Sequence, residues 1–264
     1  MKHTSISLVG VFDSGLGGLS VVRALKMALP HTSFVYFGDT GRFPYGTKST
    51  ATVRRYSMEN TSFLLSKGAE VIVVGCNTAT SVALDTLCKK FPLPIFGVIE
   101  PAAKKAASLT KNGRIGVIGT IRTIKSQSYN KAIERLLPEA CVFSTAAPLL
   151  VSLIEDGSPS HTITRDIVRE YLRPLKMQKI DTLLLGCTHY SLLRNLIQEE
   201  IGDAVSIIDP ADSIAEALCE TLSFSQKDNP KYQFFASDDP TRFKKVGELF
   251  LGMKMEAISI GGVL

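Results

Sequence analysis

The chain has 264 residues, long enough for one large domain or two of ordinary size, and its 45% hydrophobic and 21% charged composition excludes a disordered or fibrous protein. Thirty Lys and Arg stand against 25 acidic residues for a formal net charge of +5, but short basic groups such as Lys104–Lys105 and Lys244–Lys245 read as solvated faces, so no nucleic-acid partner is expected. The start meets Asp13 after a short apolar run and no stretch of roughly 18 apolar residues follows, so neither a signal peptide nor a membrane span is expected.

In chain order the sequence predicts strands at 7–12 (SLVGVF), 33–37 (SFVYF), 71–75 (VIVVG) and 94–98 (PIFGV), separated by helices around 18–28, 50–67 and 79–90. Further strands follow at 114–119 (RIGVIG), 141–144 (CVFS), 181–186 (DTLLLG) and 205–209 (VSIID), with helices around 122–136, 160–173 and 189–199. Unbroken Val/Ile/Leu runs suit strands buried on both faces of a parallel sheet. The alternation of strand and helix points to an α/β, doubly wound architecture.

The sequence also repeats itself. VGVFDSG (9–15) resembles IGVIGT (115–120), and VIVVGCNTAT (71–80) resembles DTLLLGCTHY (181–190), in the same order and both at an offset of about 110 residues. The expectation is two similar α/β domains, 1–98 and 99–208, facing one cleft. The tail, 209–264, is too short to stand alone and is expected to pack back onto the first domain, with an amphipathic helix at 211–222. In open parallel sheets the ligand sits beyond the carboxyl ends of the strands, where all of the repeated motifs fall.

Five cysteines form an odd set with no C-x-x-C pair, which argues against a disulfide framework and for a reducing, cytoplasmic setting; they and four scattered histidines give no metal spacing. A lone cysteine is most often a small buried hydrophobe. Cys76 and Cys187, however, occupy equivalent strand ends in two repeats, each followed by small polar residues: Asn77 and Thr78 after one, Thr188 and His189 after the other. Helix N-terminal amides near such a position are expected to lower the thiol pKa. Two matched bases across a pseudo-symmetric cleft suit racemisation, in which a proton leaves one face of a carbon and another arrives on the opposite face. A cysteine hydrolase would leave the second cysteine unexplained.

The loop FDSGLGG (12–18) lacks the dinucleotide-binding spacing, because Ser20 stands where the last glycine is required, and Thr47 before Lys48 breaks a phosphate-loop pattern at 41–48. Its glycines still allow backbone amides to approach an anion such as a substrate carboxylate, with Asp13 either functional or capping the next helix. The polar loop GDTGRFPYGTKS (38–49) is rich enough in Tyr, Arg, Asp and Gly to be more than a connector. His189, beside Cys187, is a candidate proton relay.

Together DSGLGG (13–18), GDTGRFPYG (38–46), GCNTAT (75–80) and LLLGCTHY (183–190) resemble the glutamate racemases, members of the aspartate/glutamate racemase superfamily. VIGT with Thr123, Ser126 and Tyr129, and PLLVSLIEDG (148–157), extend the likeness along the chain. The resemblance implies two α/β domains in pseudo-twofold relation, no cofactor, no metal, and conversion of L-glutamate to D-glutamate for the peptidoglycan stem peptide. It implies Cys76 and Cys187 as bases, acting on the D and L enantiomers respectively, assisted by Asp13 and His189. It places Asp13, Ser14, Tyr45, Gly46, Asn77, Thr78, Thr188 and His189 at the substrate, and Glu155 as an acidic position near the site. Gly75 departs from the alanine more usual before the first cysteine. A small-molecule substrate is the expected partner, and a homodimer would match many relatives although no oligomer signature is visible. The competing readings are an aspartate racemase of the same superfamily, a binding protein using the same cleft without chemistry, and a thiol redox sensor.

Overall fold

The computed structural model describes residues 5–157, 161–255 and 258–260. Residue 160 of the helix expected over 160–173, residues 256–257 and 261–264 of the tail, and residues 1–4 lie outside the described residues.

The first half runs β1 (Leu8–Asp13), α1 (Leu19–Ala28), β2 (Ser33–Gly38), α2 (Thr50–Ser66), β3 (Val71–Val74), α3 (Asn77–Lys90), β4 (Ile95–Gly97) and α4 (Ile99–Leu109). The second runs β5 (Arg114–Gly119), α5 (Ile121–Ser126), α6 (Ser128–Leu136), β6 (Cys141–Ala146), α7 (Leu149–Glu155), α8 (Thr162–Met177), β7 (Thr182–Gly186), α9 (Arg194–Ile201) and β8 (Ser206–Ile208). The tail adds α10 (Pro210–Thr221), β9 (Tyr232–Ala236), α11 (Pro240–Leu251) and β10 (Ile258–Ile260).

All pairings between these strands are parallel, as the unbroken apolar runs predict. One sheet has the order β10-β9-β2-β1-β3-β4 and the other β6-β5-β7-β8. The second order reproduces the β2-β1-β3-β4 run of the first, so the two sequence repeats are also topological repeats. Pairing of β9 with β2, with Phe34 opposite Tyr232, brings the tail into the first sheet. Both central strands are covered on both faces. Val9 and Val11 join a core that also contains α1, α10, Leu183 and Leu185 from the second sheet, whereas Phe12 and Val74 pack toward α2 and α3. Each fully buried aliphatic side chain in these layers contributes about 1.5–3 kcal/mol.

Where element ends differ from the sequence expectation, local chemistry explains the shift. The helix expected over 122–136 is two helices, because Gln127 adopts the left-handed conformation at φ 54°. The helix expected from 79 starts at Asn77, because Cys76 itself caps it. The segment after Cys187 opens as a 3-10 turn over Thr188–Leu193 before α9 begins. Among the described residues no helix is long and apolar enough to cross a membrane.

Candidate active site

The carboxyl ends of β1, β3, β5 and β7 converge on a cavity of about 220 Å³. Ser14 follows β1, Cys76 follows β3, Thr120 follows β5 and Cys187 follows β7, and all four line it. Ile121, Pro148, Leu149 and Val151 supply an apolar wall from the second half. Thr120, Pro148, Leu149 and Val151 fall within the VIGT and PLLVSLIEDG segments but are not expected as site residues from the sequence, and Ile121 is not singled out at all.

Cys76 is buried, and its Sγ accepts the Ala79 N–H at 3.4 Å and donates to Ser14 Oγ at 3.6 Å. Burial pushes this thiol up to about 12, with the negative charge of Asp13 adding to the rise and the Ala79 and Ser14 hydrogen bonds opposing it. The sequence expectation of a lowered pKa is therefore corrected: one amide at a helix start does not offset full enclosure, and Cys76 is a thiol at neutral pH.

Asn77 and Thr78 tie this wall to the other half. The Tyr129 hydroxyl donates to Asn77 Oδ1 at 2.6 Å, which leaves the buried Asn77 Nδ2, without a protein partner, as a donor on the cavity. Thr78, Thr120 and Thr123 form a hydroxyl triangle with sides of 2.9, 3.0 and 3.4 Å.

The loop after β2 is built on a buried charge. Asp39 is fully enclosed and accepts Arg42 Nε at 2.9 and 2.8 Å, as well as the Tyr45 hydroxyl. Arg42 also meets Glu59, donates to Asn60 at 3.0 Å and lies 4.0 Å over the Tyr56 ring. Tyr45 and Gly46 line the cavity as expected, but the Tyr45 hydroxyl is committed to Asp39 and Asn60. A Cβ at Gly46 would stand 2.8 Å from Thr120 Cβ, so only glycine lets the loop approach this closely.

In the second half Cys187 Sγ lies 3.9 Å from His189 Nδ1, and His189 Nε2 donates to Glu155 Oε1 at 2.8 Å. Burial alone would depress the imidazole. The hydrogen bonds and charges of Cys187 and Glu155 outweigh it and raise His189 to about 10, so it is an imidazolium at neutral pH. Its ring is held between Phe43, with centroids 5.6 Å apart, and Phe250, at 5.3 Å. Thr188 lines the cavity beside it.

Asp13 has no exposed surface and is not among the residues lining the cavity. Its carboxylate accepts the Gly15 N–H at 2.9 Å and the Thr188 hydroxyl at 3.3 Å, so it braces the loop after β1 against Thr188. Burial raises its pKa, with the positive His189 opposing the rise. Among the described residues no group of His, Cys, Asp and Glu is gathered to hold a metal ion.

This arrangement brings to one cavity a protonated thiol, a second cysteine sulfur beside an imidazolium, and several hydrogen-bond donors. Residues 10–218 match the family model described as Asp/Glu/Hydantoin racemase. A glutamate racemase of Syntrophus aciditrophicus is 44% identical over 255 residues, covering 95% of this chain and 94% of that protein. Among solved structures, a glutamate racemase isoform of Bacillus anthracis superposes with a TM-score of 0.93 at 37% identity, covering 97% of this chain and 98% of that one. A glutamate racemase of Francisella tularensis, in complex with D-glutamate, gives a TM-score of 0.89 at 34% identity with 97% coverage of both chains. With its duplicated strand ends, its paired cysteines and these matches along nearly its whole length, the chain belongs to the aspartate/glutamate/hydantoin racemase family.

Proposed function

We propose that the protein is a cofactor-independent glutamate racemase in which Cys76 and Cys187 act as the two bases, supplying D-glutamate for the peptidoglycan stem peptide. The observation that carries this reading is that both cysteines, from equivalent strands of the two repeats, line one cavity. Residues 1–98 with 209–264 would form one domain and 99–208 the other, a division supported by the shared strand order and by the pairing of β9 with β2.

In the L-to-D direction Cys187, as thiolate beside the His189 imidazolium, takes the α-proton. The Cα–H bond breaks and an S–H bond forms, while the electron pair left on Cα spreads into the carboxylate. Cys76 then breaks its own S–H bond and delivers that proton to the opposite face. The raised pKa of Cys76 suits it to be the protonated partner at the outset. Turnover ends with the protonation states of the two sulfurs exchanged, which is the starting state for the reverse reaction. Asn77 Nδ2, Ser14, Thr78 and Thr188 would hold the substrate carboxylates, and their donors gain most where charge builds up after deprotonation. Asp13 and His189 would support the two bases without contacting Cα.

The test is chiral analysis of Cys76→Ser and Cys187→Ser with each enantiomer of glutamate, together with solvent deuterium incorporation by the unaltered enzyme. Both variants are expected to lose racemisation, and early label is expected in the product enantiomer only. Racemisation surviving either substitution, or activity on aspartate but not glutamate, would refute the proposal.

A further inference from the structure

The C-terminal helix α11 reaches the Cys187 wall twice. Phe250 packs edge-on against the His189 ring, and Arg242 Nη2 donates to Glu155 Oε2 at 3.2 Å, the oxygen that His189 does not use. Glu155 is thus shared: Oε1 takes the imidazolium and Oε2 the guanidinium, so the carboxylate is held in one rotamer from both ends.

Arg242 is itself placed by the turn before it. Asp239 accepts the Arg242 N–H at 2.9 Å, and Phe243, the next residue, is buried against the Tyr36 ring with centroids 6.0 Å apart. The same turn pins the substrate loop, since Thr40 Oγ1 donates to the Asp238 carbonyl at 2.6 Å and Ser237 Oγ accepts the Gly41 N–H at 2.9 Å. Cys76 is served differently: among the described residues its hydrogen-bond partners Ser14 and Ala79, and the Asp13 carboxylate whose charge acts on it, all belong to the first half.

We infer that Arg242 is a positioning residue for the Cys187 half of the reaction, fixing Glu155 so that Glu155 in turn aims the His189 imidazolium at Cys187. This rests on the two-cysteine reading. It concerns a residue outside the cavity, on a helix that the paired cysteine motifs do not predict.

Two enantiomers have equal free energy, so any variant must lower kcat/KM by the same factor in both directions. The assignment to one sulfur therefore has to come from the α-deuterium isotope effect, measured on kcat/KM separately for L- and D-glutamate. When deprotonation by Cys187 slows, that step limits its own direction more fully and limits the other less. Arg242 is 56% exposed, so Arg242→Leu is expected to fold normally and to lower kcat/KM by about two- to fivefold, the range an exposed ion pair supports. The isotope effect should rise for the enantiomer deprotonated by Cys187 and fall for the other, and Arg242→Lys should restore much of both.

Glu155→Gln is the companion variant and should shift the same ratio further. If Glu155→Gln shifts it while Arg242→Leu leaves it unchanged, the role of Arg242 is refuted and the two-base reading stands. If neither variant shifts it, and solvent label appears equally in both recovered substrates, the two-base reading has failed and the inference falls with it.

Discussion

Replacing Gly17 by alanine adds one methyl group at the most crowded point of the site. An added Cβ would lie 2.5 Å from His189 Nδ1 and 2.9 Å from His189 Cε1, with Thr188 Oγ1 closer still. Ordinary contact begins near 3.4 Å, so the imidazole must retreat by about 0.9 Å. Gly17 is not among the residues with positive φ, so contact alone opposes the substitution. The ring has little room to yield, because it is clamped between Phe43 and Phe250 and any movement disturbs its contacts with Cys187 and Glu155. Overpacking of this kind costs about 1–3 kcal/mol, which in a chain of this size lowers Tm by roughly 2–4 °C per kcal/mol. On the proposed two-base reading, a displacement near 1 Å of a group serving Cys187 is expected to lower the rate by about 100-fold. Gly75→Ala is the control. Its Cβ would meet the Phe12 carbonyl at 3.2 Å and two valine methyls at 3.6 Å, contacts that need only a slight adjustment, so activity within about twofold of the parent is expected. The assay is racemisation rate by circular dichroism alongside thermal unfolding of both variants. A Gly17→Ala protein that loses stability as calculated but keeps its rate within threefold would show that the placement of His189 does not set the rate.

Other residues give sharp expectations of their own. Asp39→Asn leaves Arg42 paired with Glu59 but removes the enclosed charge that also accepts the Tyr45 hydroxyl; it should cost about 3 kcal/mol in urea unfolding and raise KM more than it lowers kcat. A cost below about 1 kcal/mol with KM unchanged would contradict this account of the loop. Tyr129→Phe should cost about 1–2 kcal/mol and raise KM about twofold, because the freed Asn77 amide then divides its time between two orientations; an unchanged KM would mean that other contacts orient the amide. The raised pKa of His189 stabilises the fold fully below its ordinary value of 6.5, and that contribution is lost as pH rises to about 10. The Tm advantage of the parent over His189→Asn should therefore shrink across that window, and a constant difference would refute the imidazolium assignment.

The main architecture was legible because it is written in periodicity. All eight expected strands are present, since unbroken apolar runs between helical stretches have few other ways to be buried. The elements that escaped have weaker local signals. Helix α4 carries Pro101 in its first turn, where a proline is tolerated but reads as a breaker. Strand β9 is five residues long and follows a polar stretch, and its place beside β2 is decided by tertiary pairing rather than by its own composition. Within the site the two cysteines were found through the repeat. The direction of the Cys76 pKa was not, because sequence shows the helix start but not the burial that outweighs it. The link from His189 to Glu155 joins residues 34 apart in sequence, and that from Glu155 to Arg242 spans 87, separations that leave no local pattern to read.

The pairing of β9 with β2 also constrains how the chain is made. The outer edge of β2 is not covered until Tyr232–Ala236 has been synthesised, long after Ser33–Gly38, and the sheet is complete only with Ile258–Ile260. At about 5–20 residues per second, the intervening 193 residues between Gly38 and Tyr232 take roughly 10–40 s to emerge. Throughout that interval the apolar segment SFVYF lacks its outer neighbour and presents an open strand edge, the feature most prone to pairing with another chain. The second sheet, whose strands all lie between Arg114 and Ile208, can close before the first. On a ribosome the order of the two halves is thus reversed: the half begun first is finished last. Truncation near residue 230 would then leave a complete second sheet beside a first one with an unprotected edge.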